Sequence, residues 1–492
     1  MKTALSRRGL LTAGAAATGA AFLTGLDTST AEASLPPFRR LVTPKLLHAD
    51  PWWPVPDPGR TTTQAPDWNV GFKNDAEGLP LSLLRGNWGA HPSRLGWYIN
   101  NHISSFENTG NRGNLTRAAQ VMDIMMSRAA KDRGSAFVKY EFPWEVSHGK
   151  LPDPWYSSFG QSQFPLGAER LYRLTGDRKY LKARELLLNA FFQPRTKGRP
   201  WIVDVDRYGM LWLEEYPFAD GHASHVHNGQ IYAVGDLLRY AEFAQDQRAY
   251  ELVRGAIYTS LFNADLCRKP AGLSYYYKDE THQSNVYHAV HAKLYNRLYN
   301  MTQYDDFAKV TDRMVRDACP GREAGTLRVT GGRPHRLRKG SSTAVWKPTS
   351  TLEVSSSARD TLTGANGVVW SLMSSGPRSG WHIEESPDAY RTGYATDRFD
   401  YRWDRRAVIG KGALLVGYEI NEAGVRKERR RARMTRDSAF LADARANLGG
   451  RQYIRATSGQ FAGLWIPEEV RGAHFTSHRP SSRASLSAAR QR

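Results

Sequence analysis

The chain of 492 residues contains only two cysteines, Cys267 and Cys319. Two cysteines are too few for a disulfide scaffold, and neither stands at zinc-site spacing from another ligand. They could pair with each other or stay as buried thiols. After residue 33, no apolar run approaches the length of about 20 residues that a transmembrane helix needs. The sequence therefore gives no support for thiol redox chemistry or for a membrane span in this part of the chain.

Acidic residues are also scarce relative to basic ones. The chain has 68 Lys and Arg against 48 Asp and Glu, a formal net charge of +20. Residues 321–492 hold 30 of the basic and 16 of the acidic residues, so the last third carries most of the excess. Such a charge attracts polyanions, namely nucleic acid, acidic lipid or acidic polysaccharide, although it can also serve solubility alone.

The N-terminal stretch MKTALSRRGLLTAGAAATGAAFLTGLDTSTAEA has twin arginines, an apolar Ala/Gly-rich run and a small-x-small site at Ala31–Ala33. This pattern predicts a twin-arginine export signal over residues 1–33. A membrane anchor is the weaker interpretation, because the apolar run is short. We therefore expect a secreted protein that has no membrane association after cleavage. Its polyanionic partner is then expected to be an acidic polysaccharide and not nucleic acid.

Four segments share one pattern, in which an aromatic-ended helix is followed by a short polar turn and a second helix. They begin at Phe106, Tyr172, Phe243 and Tyr299. Each turn carries Gly, Asn, Asp or Gln, which end one helix and cap the next. Repeated helical hairpins of this kind predict a mainly α protein with an (α/α) barrel or toroid. We expect this region, residues 89–320, to be the catalytic domain.

The regions on either side of the hairpins have different patterns. Residues 34–88 are rich in Pro and Trp and are expected to wrap across another domain. Short alternating runs predict a C-terminal antiparallel β-rich domain at residues 325–469, and residues 475–492 should be a disordered tail. The run Arg426–Arg433 is interpreted as a solvated loop or strand edge that could grip an anionic chain. A chain ending near Pro320 is expected to keep the helical domain.

Five motifs occur in the loops and helix starts of the hairpins. They are P-W-Y-S-x-x-x-Q at 154–161, R-L-T-G-D at 173–177, E-Y-P at 215–217, N-G-x-x-Y-A at 228–233 and Y-H-x-x-H at 287–291. The motifs follow the order found in the D-glucuronyl C5-epimerase family, and the chain resembles that family between Gly89 and Asp317. The resemblance implies an (α/α) barrel with β-rich regions. It also implies conversion of D-glucuronate to L-iduronate within a polysaccharide.

When the catalytic residues of the family are placed on the matching motifs, the resemblance implies that they are Glu215, Tyr216, Tyr275 and Tyr287. The family commonly has Y-D-L-R where this chain has Tyr275-Tyr276-Tyr277-Lys278, so which of the three tyrosines faces the site stays open. Further side chains in these motifs and loops are predicted to bind substrate. They are Trp155, Tyr156, Gln161, Asn228, Lys278, His288 and His291.

The chemistry of uronate epimerisation suits these residue types. The C5 proton lies next to a carboxylate, so a base must remove it while negative charge is stabilised, and an acid must return a proton to the opposite face. Tyrosine and glutamate can fill these roles without a cofactor. We therefore predict an exported uronyl C5-epimerase with no cofactor. The alternatives are a polysaccharide lyase, which begins with the same proton abstraction, and a non-catalytic glycan-binding wall protein.

Several of these residues also have structural interpretations. Tyr275–Tyr277 could alternate across a strand, and Tyr287 and His291 could pack on one helical face. The three histidines His222, His225 and His227 fit no familiar zinc spacing, so no metal site is predicted there. Asn228 is expected to start and cap the next helix.

Overall fold

The computed structural model describes residues 35–41, 47–50, 72–84, 86–151, 153–279, 281–317, 325–363, 369–386, 388–392, 397–421, 425–448, 451–468 and 472–475. The predicted export signal, about half of the Pro/Trp-rich segment, Cys319 and the predicted tail after residue 475 lie outside these residues.

The helical part consists mainly of four hairpins, at the places where the sequence repeats predict them. Each hairpin joins two consecutive helices that pack along each other. The hairpins are α1 (Pro92–Thr109) with α2 (Arg112–Arg128), α4 (Phe164–Thr175) with α5 (Arg178–Asn189), α6 (His227–Ala244) with α7 (Gln247–Phe262), and α9 (Asn285–Thr302) with α10 (Asp305–Asp317). Two short helices, α3 (Ser158–Gln161) and α8 (Ala264–Cys267), lie between them.

The hairpin turns share one geometry. The first helix of each ends at a residue with positive φ, and these residues are Gly110, Gly176, Gln245 and Gln303. In the first three turns an Asn or Asp follows, and its side chain accepts a backbone N–H of the next helix. A left-handed residue followed by an Asx N-cap reverses the chain in two residues, which explains why the pattern was visible in the sequence.

The first helices of the hairpins form a row in the order α1, α4, α6, α9. The C-terminal halves of α1, α4 and α6 line one cavity of about 540 Å³, through Glu107, Arg170 and Glu242. The loops that precede α3, α6 and α9 meet on the other side of the helical row, where the N-termini of these helices lie. The row therefore brings several helix N-termini to one rim.

Nine short strands lie within or before the helical part, in one three-stranded sheet and three two-stranded ones. The three-stranded sheet has β1 (Phe72–Asn74), β2 (Pro80–Leu84) and β3 (Asn87–Gly89). The pairs are β4 (Ala130–Asp132) with β5 (Ser135–Phe137), β6 (Trp144–Val146) with β7 (Gly149–Leu151), and β8 (Val203–Val205) with β9 (Leu211–Leu213).

The C-terminal part forms two seven-stranded sheets whose paired strands are antiparallel. One has the order β12-β11-β15-β14-β13-β10-β16 and the other β19-β18-β22-β21-β20-β17-β23. The strands are β10 (Gly325–Val329), β11 (His335–Lys339), β12 (Ser342–Trp346), β13 (Leu352–Thr363), β14 (Val369–Met373), β15 (His382–Glu384), β16 (Ala389–Thr392), β17 (Asp397–Ile409), β18 (Leu414–Ile420), β19 (Arg426–Arg433), β20 (Ser438–Leu448), β21 (Arg451–Ala456), β22 (Trp465–Pro467) and β23 (Ala473–Phe475).

The second sheet and the helical hairpins share one hydrophobic core. Phe399 and Tyr401 of β17 and Phe475 of β23 belong to the same buried cluster as Leu294 and Leu298 of α9. Strand β17 also packs along α9. The division into domains at about residue 320 stays a prediction. The shared core argues against the expectation that a chain ending there keeps the helical domain.

The expectation of a mainly α protein is wrong, since the fold contains 37% helix and 30% strand. The short alternating runs in the sequence predict short strands, but β13, β17 and β20 have 12, 13 and 11 residues. Bulges interrupt each of these strands and break the alternation that marks a long strand in the sequence. Within the described residues, no helix combines the length and apolarity that a membrane span requires.

Candidate active site

A buried cluster of aromatic rings surrounds Glu215 at the rim formed by the helix N-termini. Its members come from the loops before α3, α6 and α9 and from the start of α9. They include Tyr140, Trp155, Tyr216, Tyr276 and Tyr277, and the partly buried Tyr287 packs against them. Glu215 is 8% exposed and Tyr276 is 4% exposed. The cluster thus places one carboxyl group among phenols in a poorly hydrated environment.

Glu215 and two tyrosines form a hydrogen-bonded group. The Tyr276 hydroxyl donates to the Glu215 carboxylate, with its oxygen 3.3 Å from Oε1 and 3.2 Å from Oε2. The hydroxyl oxygens of Tyr276 and Tyr216 are 3.3 Å apart. The Tyr287 ring centroid lies 4.3 Å from that of Tyr276. A proton can therefore be held or passed among Glu215, Tyr276 and Tyr216, and the Tyr287 ring packs beside them.

Burial sets the acidities in this group. It raises the pKa of Glu215 to about 7, the hydrogen bonds from Tyr216 and Tyr276 oppose this rise, and the charge of Glu214 adds to it. Burial, with the nearby Glu215 charge, raises the pKa of Tyr216 and Tyr276 well above 10. Near neutral pH the phenols are proton donors, whereas Glu215 can both accept and donate.

Gly229, in the first turn of α6, lets the Glu215 side chain lie against that helix. A Cβ at this position would be 2.2 Å from Glu215 Oε2 and 2.7 Å from Glu215 Cβ. The second distance involves the start of the side chain, so a rotation of the carboxylate alone cannot relieve the contact. The glycine of the N-G-x-x-Y-A motif therefore determines where the carboxylate lies.

We expect Gly229→Ala to destabilise the protein and to impair its chemistry. Alanine normally stabilises a helix relative to glycine by about 0.5–1 kcal/mol, but overpacking costs about 1–3 kcal/mol. The free energy of unfolding should therefore fall, and catalytic turnover should fall with it as Glu215 moves. Denaturant titration and an activity assay check this. Higher stability with full activity would show that Glu215 has room to move.

The structure places the four predicted catalytic residues in two different environments. Glu215, Tyr216 and Tyr287 lie in the cluster, but Tyr275 does not. The Tyr275 backbone pairs with Cys267, and its ring lies near the Lys269 ammonium, 5.9 Å from it. Tyr276 takes the position beside Glu215, and Tyr277 also belongs to the cluster.

Tyr140 is a member of the cluster that the sequence motifs did not reveal. Its ring stacks on Trp155 with centroids 3.8 Å apart, and its hydroxyl hydrogen-bonds to Ser93 and Ser157 at the starts of α1 and α3. Burial raises its pKa, and the charge of Glu215 adds to this. No local pattern marked Tyr140, because only the tertiary fold brings it to this rim.

The predicted substrate-binding residues of the first motif have partners within the fold. Trp155 is 5% exposed and its indole N–H donates to the Phe142 carbonyl. The Gln161 side chain accepts from the backbone of Val138 and donates to the carbonyls of Ala136 and Leu187. Tyr156 is half-buried and packs edge-on against Phe137. The structure thus uses these side chains to brace the loop before α3.

Lys278 and the two histidines of the Y-H-x-x-H motif also have partners within the fold. Lys278 forms an ion pair with Asp206, at 3.0 Å. His288 accepts from the Ser274 backbone and donates to the Met314 carbonyl. The His291 Nδ1 lies 2.8 Å from the Ser274 hydroxyl. The two histidines therefore anchor, through Ser274, the segment that carries Tyr276.

The three histidines of the loop before α6 differ in burial and in partners. His222 is exposed near Phe218, His225 Nε2 lies 2.9 Å from Asp204, and His227 is buried in the first turn of α6. Burial lowers the pKa of His227 to about 3, and the charges of His225 and Lys278 contribute. Among the described side chains, no group of three or more His, Cys, Asp or Glu could hold a metal ion.

The sequence predicts that Asn228 caps α6, but the structure shows that it does not. The helix begins one residue earlier, at His227, with Val226 as the N-cap. The Val226 backbone pairs with Tyr277, which sets the helix start. Asn228 is 5% exposed, and its amide oxygen has no hydrogen-bond partner within the described part of the chain.

The site lies within a segment that matches a known family. Residues 131–316 match the model of the D-glucuronyl C5-epimerase C-terminus. The resemblance to that family is confirmed. This match supports a carbohydrate epimerase, and the Glu215 cluster lies within the matched residues. No curated protein matches the chain.

Solved structures of carbohydrate-active proteins are similar to about half of the chain. A family 76 α-mannanase from Bacteroides thetaiotaomicron has 14% identity and a TM-score of 0.32, over 49% of this chain and 62% of that one. Cellobiose 2-epimerase from Spirochaeta thermophila has 16% identity and a TM-score of 0.36, over 49% and 63%. A D-mannose isomerase has 13% identity and a TM-score of 0.35, over 50% and 65%. The chain spans less than two thirds of each, and similarities this weak carry no argument about function.

Proposed function

We propose that the protein is an exported uronyl C5-epimerase that converts D-glucuronate to L-iduronate residues within an acidic polysaccharide. The observation that carries the proposal is the hydrogen-bonded group of Glu215, Tyr276 and Tyr216, next to Tyr287, within the family-matched segment. The predicted N-terminal signal supports export, and the net charge of +20 supports a polyanionic substrate.

The reaction removes the C5 proton from one face of the sugar and adds a proton to C5 from the opposite face. Glu215, in its ionised form, takes the C5 proton, and the electron pair of the broken C–H bond moves onto the substrate carboxylate. The Tyr276 hydroxyl, hydrogen-bonded to Glu215, stabilises the carboxylate of Glu215 before the transfer. Tyr287 donates its phenolic proton to C5 from the opposite face, and the electron pair returns to carbon. Exchange with water restores both side chains.

Deuterium exchange at C5 tests this proposal. In deuterated water, the protein should incorporate deuterium at C5 of glucuronate residues in heparosan and produce iduronate, without chain cleavage. Tyr287→Phe should reduce the exchange by about 100-fold or more, because only the phenolic proton is removed. Unsaturated products that absorb in the ultraviolet would instead identify a lyase. If neither exchange nor cleavage occurred, glycan binding without catalysis would be the remaining function.

A further inference from the structure

One β-hairpin in the first seven-stranded sheet has a strongly one-sided charge. Residues 333–347, which we call the basic hairpin, contain β11, β12 and the residues that flank them. This stretch has five basic and no acidic residues. In β11 the buried His335 and Leu337 alternate with the exposed Arg336 and Arg338, so the sheet holds these arginines toward solvent.

Most of these cations have no acidic partner. Arg336 forms an ion pair with Glu384, at 3.2 Å. Within the described ranges, the other four have no carboxylate in ion-pair contact, and all four are exposed: Arg333, Arg338, Lys339 and Lys347. The turn between β14 and β15 adds the exposed Arg378 close by, since Gly380 of the same turn lies beside the Lys339 ammonium. The positive potential of this surface is therefore not neutralised locally.

The arginine-rich run in β19 differs in this respect, although its sequence is more basic. Arg429 pairs with Glu419, and Arg431 pairs with Glu428. Arg426 lies 3.6 Å from the Tyr390 ring centroid and is partly buried. The sequence pointed to this run as the grip for an anionic chain, but part of its charge is already used within the fold.

We propose that the basic hairpin is a binding surface for a long acidic polysaccharide. This inference rests on the proposed function, which supplies a uronate polymer as substrate. Arg336 and Arg338 share the solvent face of β11, about 7 Å apart along the strand. Arg333 and Lys339 are exposed near the two ends of the same strand, so the cations can contact more than one carboxylate of a polymer. The neighbouring exposed side chains include the hydroxyls of Ser342 and Thr343, which suit sugar hydroxyl groups, and the apolar Val345.

The same surface is less suited to nucleic acid. Single-stranded nucleic acid is usually held by exposed aromatic rings on which the bases stack. The one aromatic ring of β12, Trp346, is half-buried and lies against His335, with ring centroids 6.4 Å apart. The remaining exposed side chains of the hairpin are basic, hydroxyl or aliphatic.

Two matched variants of the full chain test the assignment. The hairpin variant combines Arg333→Gln, Arg338→Gln, Lys339→Gln and Lys347→Gln. The control variant combines Lys427→Gln, Arg429→Gln, Arg431→Gln and Arg433→Gln in β19, so both lose four exposed positive charges. Affinity for long heparosan is measured at several salt concentrations, with duplex DNA as a second probe and C5 exchange on a short heparosan oligosaccharide as the activity readout.

We expect the hairpin variant to bind long heparosan about tenfold more weakly or worse, since four exposed ion pairs are lost together. Its binding should also depend less steeply on salt. The control variant should stay within about threefold of wild type, and both should keep full exchange on the short oligosaccharide. Equal losses in the two variants would show a general charge effect and overturn the assignment. Equally tight DNA binding, lost in the same variant, would overturn the partner class. Absence of exchange in the wild type would contradict the proposed function alone. The comparison of heparosan affinities would still test the basic hairpin, because it does not depend on catalysis.

Discussion

Asp312→Ala is expected to lower the free energy of unfolding by about 3–5 kcal/mol. Asp312 of α10 is fully buried and binds the guanidinium groups of Arg405 on β17 and Arg445 on β20. Burial lowers the pKa of Arg445, but the carboxylates of Asp312 and Glu468 outweigh it and the net shift is upward. Alanine would remove this carboxylate from both guanidinium groups, and Arg445 would keep its ion pair with Glu468.

A matched control isolates the effect of burial. Asp443 also makes a two-pronged contact with an arginine, Arg455, at 2.7 and 2.6 Å, but both side chains are 29% exposed. Asp443→Ala should therefore cost at most about 1 kcal/mol. Denaturant titration of both variants measures the difference. Similar losses would contradict a role for Asp312 in fastening the sheet to the helices.

This contact also explains why the C-terminal part cannot be treated as an appendage. Removing the chain after Asp317 would take away Arg405 and Arg445 and leave the Asp312 carboxylate without them. It would also strip Phe399 and Tyr401 from the common core. The sequence suggested a boundary near residue 320 because the pattern changes there from helix to strand. A change of pattern marks the end of an element type, and it says nothing about packing across that point.

The helical hairpins could be predicted because their signals are local. Each turn has its own Gly or Gln in the left-handed conformation and, in three turns, an Asx cap within two residues. The order of the strands could not be predicted in the same way. Strand β17 pairs with β20 and β23, and β18 pairs with β22 as well as with the next strand, β19. Apart from β18 with β19, these partners are distant in sequence and are set by non-local packing.

The candidate site was partly visible in the sequence. The E-Y-P and Y-H-x-x-H motifs located Glu215, Tyr216 and Tyr287, which the fold brings together. The choice among Tyr275, Tyr276 and Tyr277 depends on which way each side chain points, and that is fixed by backbone contacts with Cys267 and His282. Motif matching also could not tell that Gln161 and His288 hold loops in place, because a buried hydrogen bond needs a partner distant in sequence.

Glu215→Gln is expected to abolish C5 exchange and to stabilise the folded protein above neutral pH. An amide cannot accept the C5 proton, so the exchange should fall by about 100-fold or more. The pKa of Glu215 is about 7 in the folded state against 4.5 for the free side chain. Between these values the unfolded chain releases a proton that the folded protein keeps. Stability from this group is therefore full below about pH 4.5 and is lost as the pH rises through 7.

The shift corresponds to about 3 kcal/mol between pH 4 and pH 8.5. Glutamine does not titrate, so the variant should gain about this much relative to wild type over that range. Denaturant titrations at the two pH values measure the gain, together with C5 exchange at neutral pH. For the wild type, exchange should increase as the pH rises through about 7, because the ionised form of Glu215 is the base.

The neighbouring carboxylate provides a control of opposite sign. Glu214 is also fully buried, but its carboxylate accepts hydrogen bonds from the Ser224 backbone and hydroxyl and from the His225 backbone. Glu214→Gln should therefore destabilise the protein, since an amide replaces one acceptor oxygen with a donor. If Glu215→Gln lowered stability at high pH in the same way, Glu215 would be a structural acceptor like Glu214. A carboxylate that costs stability when ionised, yet is held in place by Gly229 and Tyr276, is instead what a proton-accepting residue requires.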